Sequence, residues 1–324
     1  MSKTKWSGKL WPVHFKPKKD ELLSSWVTRL AIAHGLSLPS FLSAVISKES
    51  YPYVILNLDI DKAVPTRLLN LLVSRTGTSQ SRIASATLIG YEGLLYEKLS
   101  VAGKTRWIMP VTGKLTHGTH GSQYCHRCLS EDEDPFFRRS WRLAFNVICI
   151  KHQIELSDRC VSCGKAVDFR KGFTSTRTKV PSGSITRCVS CHWDIREWPS
   201  TVPSHNVSLD EIKYQKFLMA ATETGRVEVE GAMAIYTYLY FTTLRRLIKV
   251  LSHKSKDAEF RKKLSHSTGI EMFSITFPNK NNGIEELRVH DRRRLLNTAR
   301  WLLTDWPERF VNFSKVSNLG SAIL

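Results

Sequence analysis

Apolar positions recur at helical spacing along much of the chain. Leu22, Leu23, Trp26, Val27 and Leu30 share one face and predict a helix from about Asp20, stopped near Gly35. A second short helix is predicted over 39–46, with Ser37 as its cap, and 48–63 reads as a loop around Tyr51-Pro52. Leu68, Leu69, Leu72 and Val73 then form another stripe. Thr76-Gly77 makes a turn, and Thr78 or Ser79 caps a following helix that carries Ile83, Ala84 and Leu88. This is a helix-turn-helix pattern. Such a unit either lays its second helix in a DNA groove or packs on other protein. In the first case Gln80, Ser81 and Arg82, with Arg75 before the turn, face the groove.

Residues 100–122, with Gly103, Pro110, Gly113, Gly118 and Gly121, read as a linker. A second boundary runs from Trp198-Pro199 to Pro203-Ser204. Beyond it the pattern is helical over 208–222, 232–251 and 284–304. In the middle segment Tyr236, Leu239, Tyr240, Thr243, Leu244, Leu247 and Leu251 make the stripe, with Arg245, Arg246 and Lys249 largely off it. The last segment carries Arg288 and the run Arg292, Arg293, Arg294, and stops near Trp306-Pro307. The long stripe predicts association as a homodimer; alternatively it is core for its own domain.

Length and charge narrow the partners. The 324 residues suggest about two domains, with room for a small third. Apolar residues at 42% and charged residues at 24% are an ordinary globular balance. No apolar run is long enough to span a bilayer, and the N-terminus has no apolar export segment, so a cytoplasmic protein is expected. The formal net charge is +19. Basic exceed acidic residues by 13 to 7 over 1–100, 16 to 9 over 101–200 and 19 to 13 over 201–324. The excess is therefore spread along the chain and points to a polyanionic partner.

Cysteine spacing is the sharpest signal. Of seven cysteines, six form three C-x-x-C pairs: Cys125/Cys128, Cys160/Cys163 and Cys188/Cys191. The seventh, Cys149, stands three before His152 in C-I-K-H and makes a fourth pair. An odd count with no export signal disfavours a disulfide framework. Two ligands separated by two residues suit a tight knuckle, and two knuckles close a tetrahedral zinc shell. In chain order the sites are Cys125, Cys128, Cys149 and His152, then Cys160, Cys163, Cys188 and Cys191. Both are full, so two structural zinc ions are expected, with no open position for a catalytic water. Interleaved pairing is an alternative, as is substitution of His152 by His117, His120 or His126, or Cys149 as a plain buried thiol. With zinc and seven thiolates the net charge becomes +16, still strongly basic.

The fold class follows. It is mainly α with small zinc-ribbon or zinc-knuckle β elements. An N-terminal helix-turn-helix-like domain spans 1–110, a tandem zinc module 120–200 and a C-terminal helical domain 205–324.

The zinc region resembles the TniQ/TnsD family of bacterial transposon target selectors. The resemblance lies in Y-C-H-R-C at 124–128, P-F-F-R-R-S-W-R-L-A-F at 135–145, C-I-K-H at 149–152, E-L-S-D-R-C-V-S-C-G at 155–164 and C-V-S-C at 188–191. D-E-L-L-S-S-W-V-T-R-L-A at 20–31 and W-P-E-R-F at 306–310 resemble features at the two ends of the family. The resemblance implies a non-enzymatic protein that selects an insertion site and hands it to a TnsC-like AAA+ ATPase and a transposase. Some members read DNA directly. Others sit as dimers on a CRISPR Cascade complex or another RNA-guided effector. The sequence stops soon after W-P-E-R-F, without the longer DNA-reading extension of TnsD members, which favours the adaptor type. The alternatives are a TnsD-type sequence-specific reader and a zinc-supported nuclease.

No H-E-x-x-H, phosphate-binding Gly-rich loop or G-x-S-x-G elbow occurs, so no catalytic residue is assigned. The acidic run Glu131–Asp134 reads as a solvated loop rather than a catalytic metal site. Trp141 reads as a plug beside the zinc cores, and Arg138 and Arg142 as ion-paired or phosphate-facing. The candidate nucleic-acid contacts are Arg75, Arg82, Arg138, Arg142, Arg245, Arg246, Arg292, Arg293 and Arg294.

Overall fold

Helix α1 (Leu23–Ala33) forms where the apolar spacing predicts it, and the chain leaves it through Gly35 at φ +69°, a left-handed turn that glycine adopts freely. Nine consecutive residues, Leu23–Ala31, are buried. The apolar face packs with Trp11, Phe41, Leu68, Leu72 and Ile83 in an N-terminal cluster. The polar face, which amphipathicity assigns to water, is buried instead in a seam of hydrogen bonds. Ser24 donates its N–H and its hydroxyl to Asp61, each at 2.8 Å, and Ser25 Oγ accepts from Phe137 N at 2.9 Å.

The computed structural model describes residues 9–46, 58–101, 103–110, 121–171, 184–202, 206–228, 234–252, 258–272, 275 and 283–316. Among these it is mainly helical, with ten α-helices and two two-stranded antiparallel ribbons. No helix among them is long and apolar enough to cross a membrane. Most of the 48–63 loop, the histidines His117 and His120, and residues 203–205 lie outside the described residues.

Helix α2 (Leu38–Val45) is capped by Ser37, whose hydroxyl accepts from Ser40 N at 3.1 Å. Helix α3 (Thr66–Thr76) ends at Gly77, φ +63°, and Ser79 caps α4 (Gln80–Ser85). The turn chemistry is as expected, but α4 has only six residues, with Ile83 buried and Ala84 exposed. Leu88 belongs to a following 3₁₀ turn (Leu88–Tyr91). The stretch read as a linker is partly core. Trp107 is buried edge-on against Phe145 and Phe241, at ring separations of 5.9 and 5.4 Å.

The second, larger hydrophobic cluster takes in Leu22 and then runs from Leu88 through the cysteine-rich region to Phe310, so that region and the C-terminal helices share one core. Helix α5 (His126–Glu131) starts at the first cysteine pair, and β1 (Ile148–Cys149) pairs with β2 (Ile154–Glu155) around the second. Helix α6 (Leu209–Thr224) opens on a complete capping box, Ser208 with Glu211. A ribbon of β3 (Arg226–Val227) and β4 (Ile235–Tyr236) precedes α7 (Thr237–Ser252). The α7 core face is Tyr240, Phe241, Leu244, Leu247, Ile248 and Leu251, whereas Tyr236 and Leu239 of the predicted stripe are exposed. The true core face shares Tyr240, Leu244, Leu247 and Leu251 with the predicted stripe and is turned from it by about 60°, toward Phe241 and Ile248.

Helix α8 (Ala258–Thr268) follows, then α9 (Val289–Leu303) and α10 (Glu308–Val316). Pro307 therefore precedes a further helix instead of ending the helical part, as suits proline just ahead of a first turn.

Candidate metal centres and basic surface

All four ligand pairs share one backbone bond, and three of them also share a left-handed turn. The residue after the second ligand donates its N–H to the carbonyl of the first: Gln153 to Cys149 at 2.7 Å, Gly164 to Cys160 at 2.8 Å and His192 to Cys188 at 2.9 Å. Each of these residues has positive φ, at 53°, 68° and 62° respectively. The turn folds both ligands to one side. Gly164 adopts it without strain, while glutamine and histidine are held in it by the surrounding bonds. In the fourth pair Leu129 donates to Cys125 O at 3.1 Å and the turn runs on as α5. Short antiparallel contacts, Arg159 with Ala166 and Arg187 with Asp194, brace the two C-x-x-C turns of the second group.

These turns bring the eight residues together in the expected order. Cys125, Cys128, Cys149 and His152 form one group and Cys160, Cys163, Cys188 and Cys191 another, with ligand atoms in each group within 4.8 Å of one another. An ion with Zn–S bonds of about 2.3 Å places its sulfurs about 3.8 Å apart and its sulfur–imidazole edges at about 3.6 Å. Here Cys128 Sγ lies 3.6 Å from Cys149 Sγ, and His152 Nδ1 lies 3.3–3.4 Å from all three sulfurs. In the second group Cys160–Cys191 is 3.6 Å and Cys163–Cys188 is 3.8 Å. Donor type, count and spacing therefore fit zinc at both places. Among the described residues these are the two Cys/His/acid groups that could hold an ion.

The two centres differ in cover. In the first, all three cysteines are buried; in the second, Cys163 is half-buried and Cys191 exposed. The first also has an outer partner, because His152 Nε2 lies 2.8 Å from Glu131 Oε1. A carboxylate on the outer nitrogen leaves Nδ1 as the ligand and raises its basicity. Replacing Glu131 by alanine is expected to weaken zinc at this centre by about tenfold to a hundredfold. Competition with a chromophoric chelator measures it.

The acidic run is exposed at Glu131, Glu133 and Asp134, as a solvated loop should be, but it is also ion-paired. Asp132 binds Arg138 through two bonds, at 2.9 and 3.1 Å, and Asp134 meets Lys18 and Arg29 at 3.6 and 3.4 Å. These acids knit the first centre to its neighbours. Trp141 is buried edge-on to Phe137 at 5.8 Å, with the Arg138 guanidinium 4.7 Å from its ring, as a plug should be.

The predicted phosphate contacts divide by burial. Arg142 is buried on Asp59 at 2.7 Å and Asp61 at 3.0 Å. Against the upward push of its own burial, the guanidinium holds Asp59 below the usual carboxylate range. Arg292 has no exposed surface. It donates to Ala144 O at 2.7 Å, Gln123 Oε1 at 2.9 Å and Leu287 O at 3.1 Å. With no carboxylate among those partners, burial lowers its pKa to about 10. Arg293 is buried on Glu211 at 2.7 Å and Glu155 at 2.9 Å. These three are corrected from surface contacts to internal ties, because a buried guanidinium cannot reach a phosphate in the folded chain. A signal was present: Val289, Arg292, Arg293 and Leu296 follow the i, i+3, i+4, i+7 spacing of a core face.

Arg138, Arg245 and Arg294 are partly buried and face Asp132, Glu285 and Asp291. Arg75 is half-buried and reaches Lys9 O at 3.5 Å. Arg82 and Arg246 are exposed. Residues missed in the sequence are Asp59 and Asp61, which hold Arg142, and Glu131; none had a local signal beyond its charge.

The TniQ family model matches residues 12–156, which take in the N-terminal helices and the whole first centre; the second centre lies beyond the match. No curated protein matches the chain.

Proposed function

We propose, from the match of residues 12–156 to the TniQ family model, that the chain is a TniQ family protein that acts as a non-enzymatic target-selection adaptor in DNA transposition. It links a targeting complex, either CRISPR Cascade or another RNA-guided effector, to a TnsC-like AAA+ ATPase and through it to the transposase. It acts in the cytoplasm, with two structural zinc ions per chain, as a homodimer. The exposed Tyr236 and Leu239 supply apolar surface for such association.

The match over 12–156 carries the reading. The short α4 supports an adaptor over a direct reader. Six residues make less than two helical turns, so few side chains project toward a groove. Phosphate contacts would then position the protein without reading bases.

The test is reconstitution. The isolated protein should bind DNA weakly, with little sequence preference and a steep fall with salt. Specific localisation should need the targeting complex, and should recruit the ATPase. One duplex outcompeting random DNA by roughly a thousandfold at physiological salt would establish a TnsD-type reader instead.

A further inference from the structure

A hollow of about 330 Å³ lies where three parts of the chain meet, lined by Pro17, Lys18, Lys19, Asp20, Arg82, Ser85 and Arg139. Lys18 leans away to Asp134, with Nζ 2.9 Å from its backbone carbonyl. Three cations and one carboxylate remain. Two of those cations are anchored by neutral groups. Arg82 Nη2 donates to Pro17 O at 2.9 Å, and Arg139 Nη1 donates to Ser85 O at 3.0 Å. Neutral carbonyls fix both guanidiniums without cancelling their charge, whereas Arg138, Arg142 and Arg293 each meet carboxylates directly.

Asp20 offsets part of this charge through an ion pair with Arg139. Its oxygens accept from Ser140 N at 3.2 Å and Ser140 Oγ at 2.5 Å, and the nearest approach to Arg139 Nε is 3.7 Å. That Nε is buried without a hydrogen-bond acceptor. Arg139 is also stacked 4.8 Å from the Tyr91 ring, which fixes the plane of its fork. Lys19 is exposed at the rim.

We propose that this hollow is a phosphate site for a nucleic-acid backbone, formed by Lys19, Arg82 and Arg139. Fixed guanidiniums with spare donors suit the oxygens of a phosphodiester. The site joins the end of α4 to the segment before α1 and to the turn beside the first metal centre. Bound nucleic acid therefore runs across this seam instead of along a recognition helix. The inference deepens the adaptor reading, on which its choice of a nucleic acid rests. It is tested on the protein alone, so that it can fail while ATPase recruitment stands, and the reverse.

The probes are a fluorescein-labelled DNA duplex of random sequence and the matching RNA duplex, read by anisotropy over a salt series. Lys19→Glu and Arg82→Gln change exposed side chains, and unchanged circular dichroism verifies their fold. Each should weaken binding by about tenfold and flatten the plot of log affinity against log salt by about one unit per phosphate lost. Lys216→Glu, an exposed change on α6, is the control and should leave the slope alone. Equal losses in all three variants would reduce the effect to overall charge and overturn the site. So would no loss, or a loss with only one of the two nucleic acids, since both carry the same phosphates.

Discussion

Replacing Cys128 by serine is expected to cost the protein its first zinc ion and the cooperative folding of the larger core. Cys125, Cys128 and Cys149 are members of the hydrophobic cluster that takes in Leu22 and reaches from Leu88 to Phe310, so the ion ties core elements and not a surface loop. Structural zinc contributes on the order of 10–16 kcal/mol of binding energy, against a net domain stability of about 5–15 kcal/mol. Loss of one of four ligands can therefore remove most of what holds the fold. Elemental analysis should fall from two zinc ions per chain to one, with low soluble yield and no sharp thermal transition. Cys163→Ser should lose one ion too, but with a sharp transition retained at lower temperature, because that centre is half-open, with Cys163 half-buried and Cys191 exposed. A chelator titration should strip the second centre first, through exposed Cys191. Two ions and an unchanged transition in Cys128→Ser would dispose of the two-centre account.

Arg142→Met is the second large expected effect, about 3–5 kcal/mol of stability, the usual scale for removing one partner of a buried ion pair. The guanidinium lies between Asp59 and Asp61 and also donates from Nε to Met109 O at 3.0 Å. Its removal leaves two buried carboxylates facing each other. One is still anchored to α1 through Ser24, so the seam between the two clusters loosens on both sides. Arg142→Lys should recover little, since a single ammonium cannot span both acids and the carbonyl. Arg142→Met with Asp61→Asn should recover part, because one of the two orphaned charges is gone. Urea unfolding of the three variants decides it. A shift below about 1 kcal/mol for Arg142→Met would mean that the acids find water or other partners.

The helices, their caps and the metal ligands were legible in the chain because each rests on spacing. The stripe of Leu23, Trp26, Val27 and Leu30, the caps at Ser37 and Ser79 and the stop at Gly77 are set within a few residues of themselves. The four knuckles are equally local, since a turn of four residues aims two ligands at one point whatever surrounds it. Even the pairing order survived folding, because adjacent knuckles close the shorter loops.

Charge was not legible in the same way. Arg142, Arg292 and Arg293 look like phosphate binders in the sequence, and each is buried on a partner 81 to 169 positions away. Burying a guanidinium is tolerable only when distant carboxylates and carbonyls converge on it. That convergence is a property of the assembled core and has no local pattern. The polar face of α1 makes the same point: Ser24 and Ser25 look outward by period, yet Asp61 and Phe137 close over them. Spacing along the chain thus determined which elements and which metal ligands form. Only the tertiary structure decided which cations stay at the surface, because the opposing charges that claim the others come from remote parts of the chain.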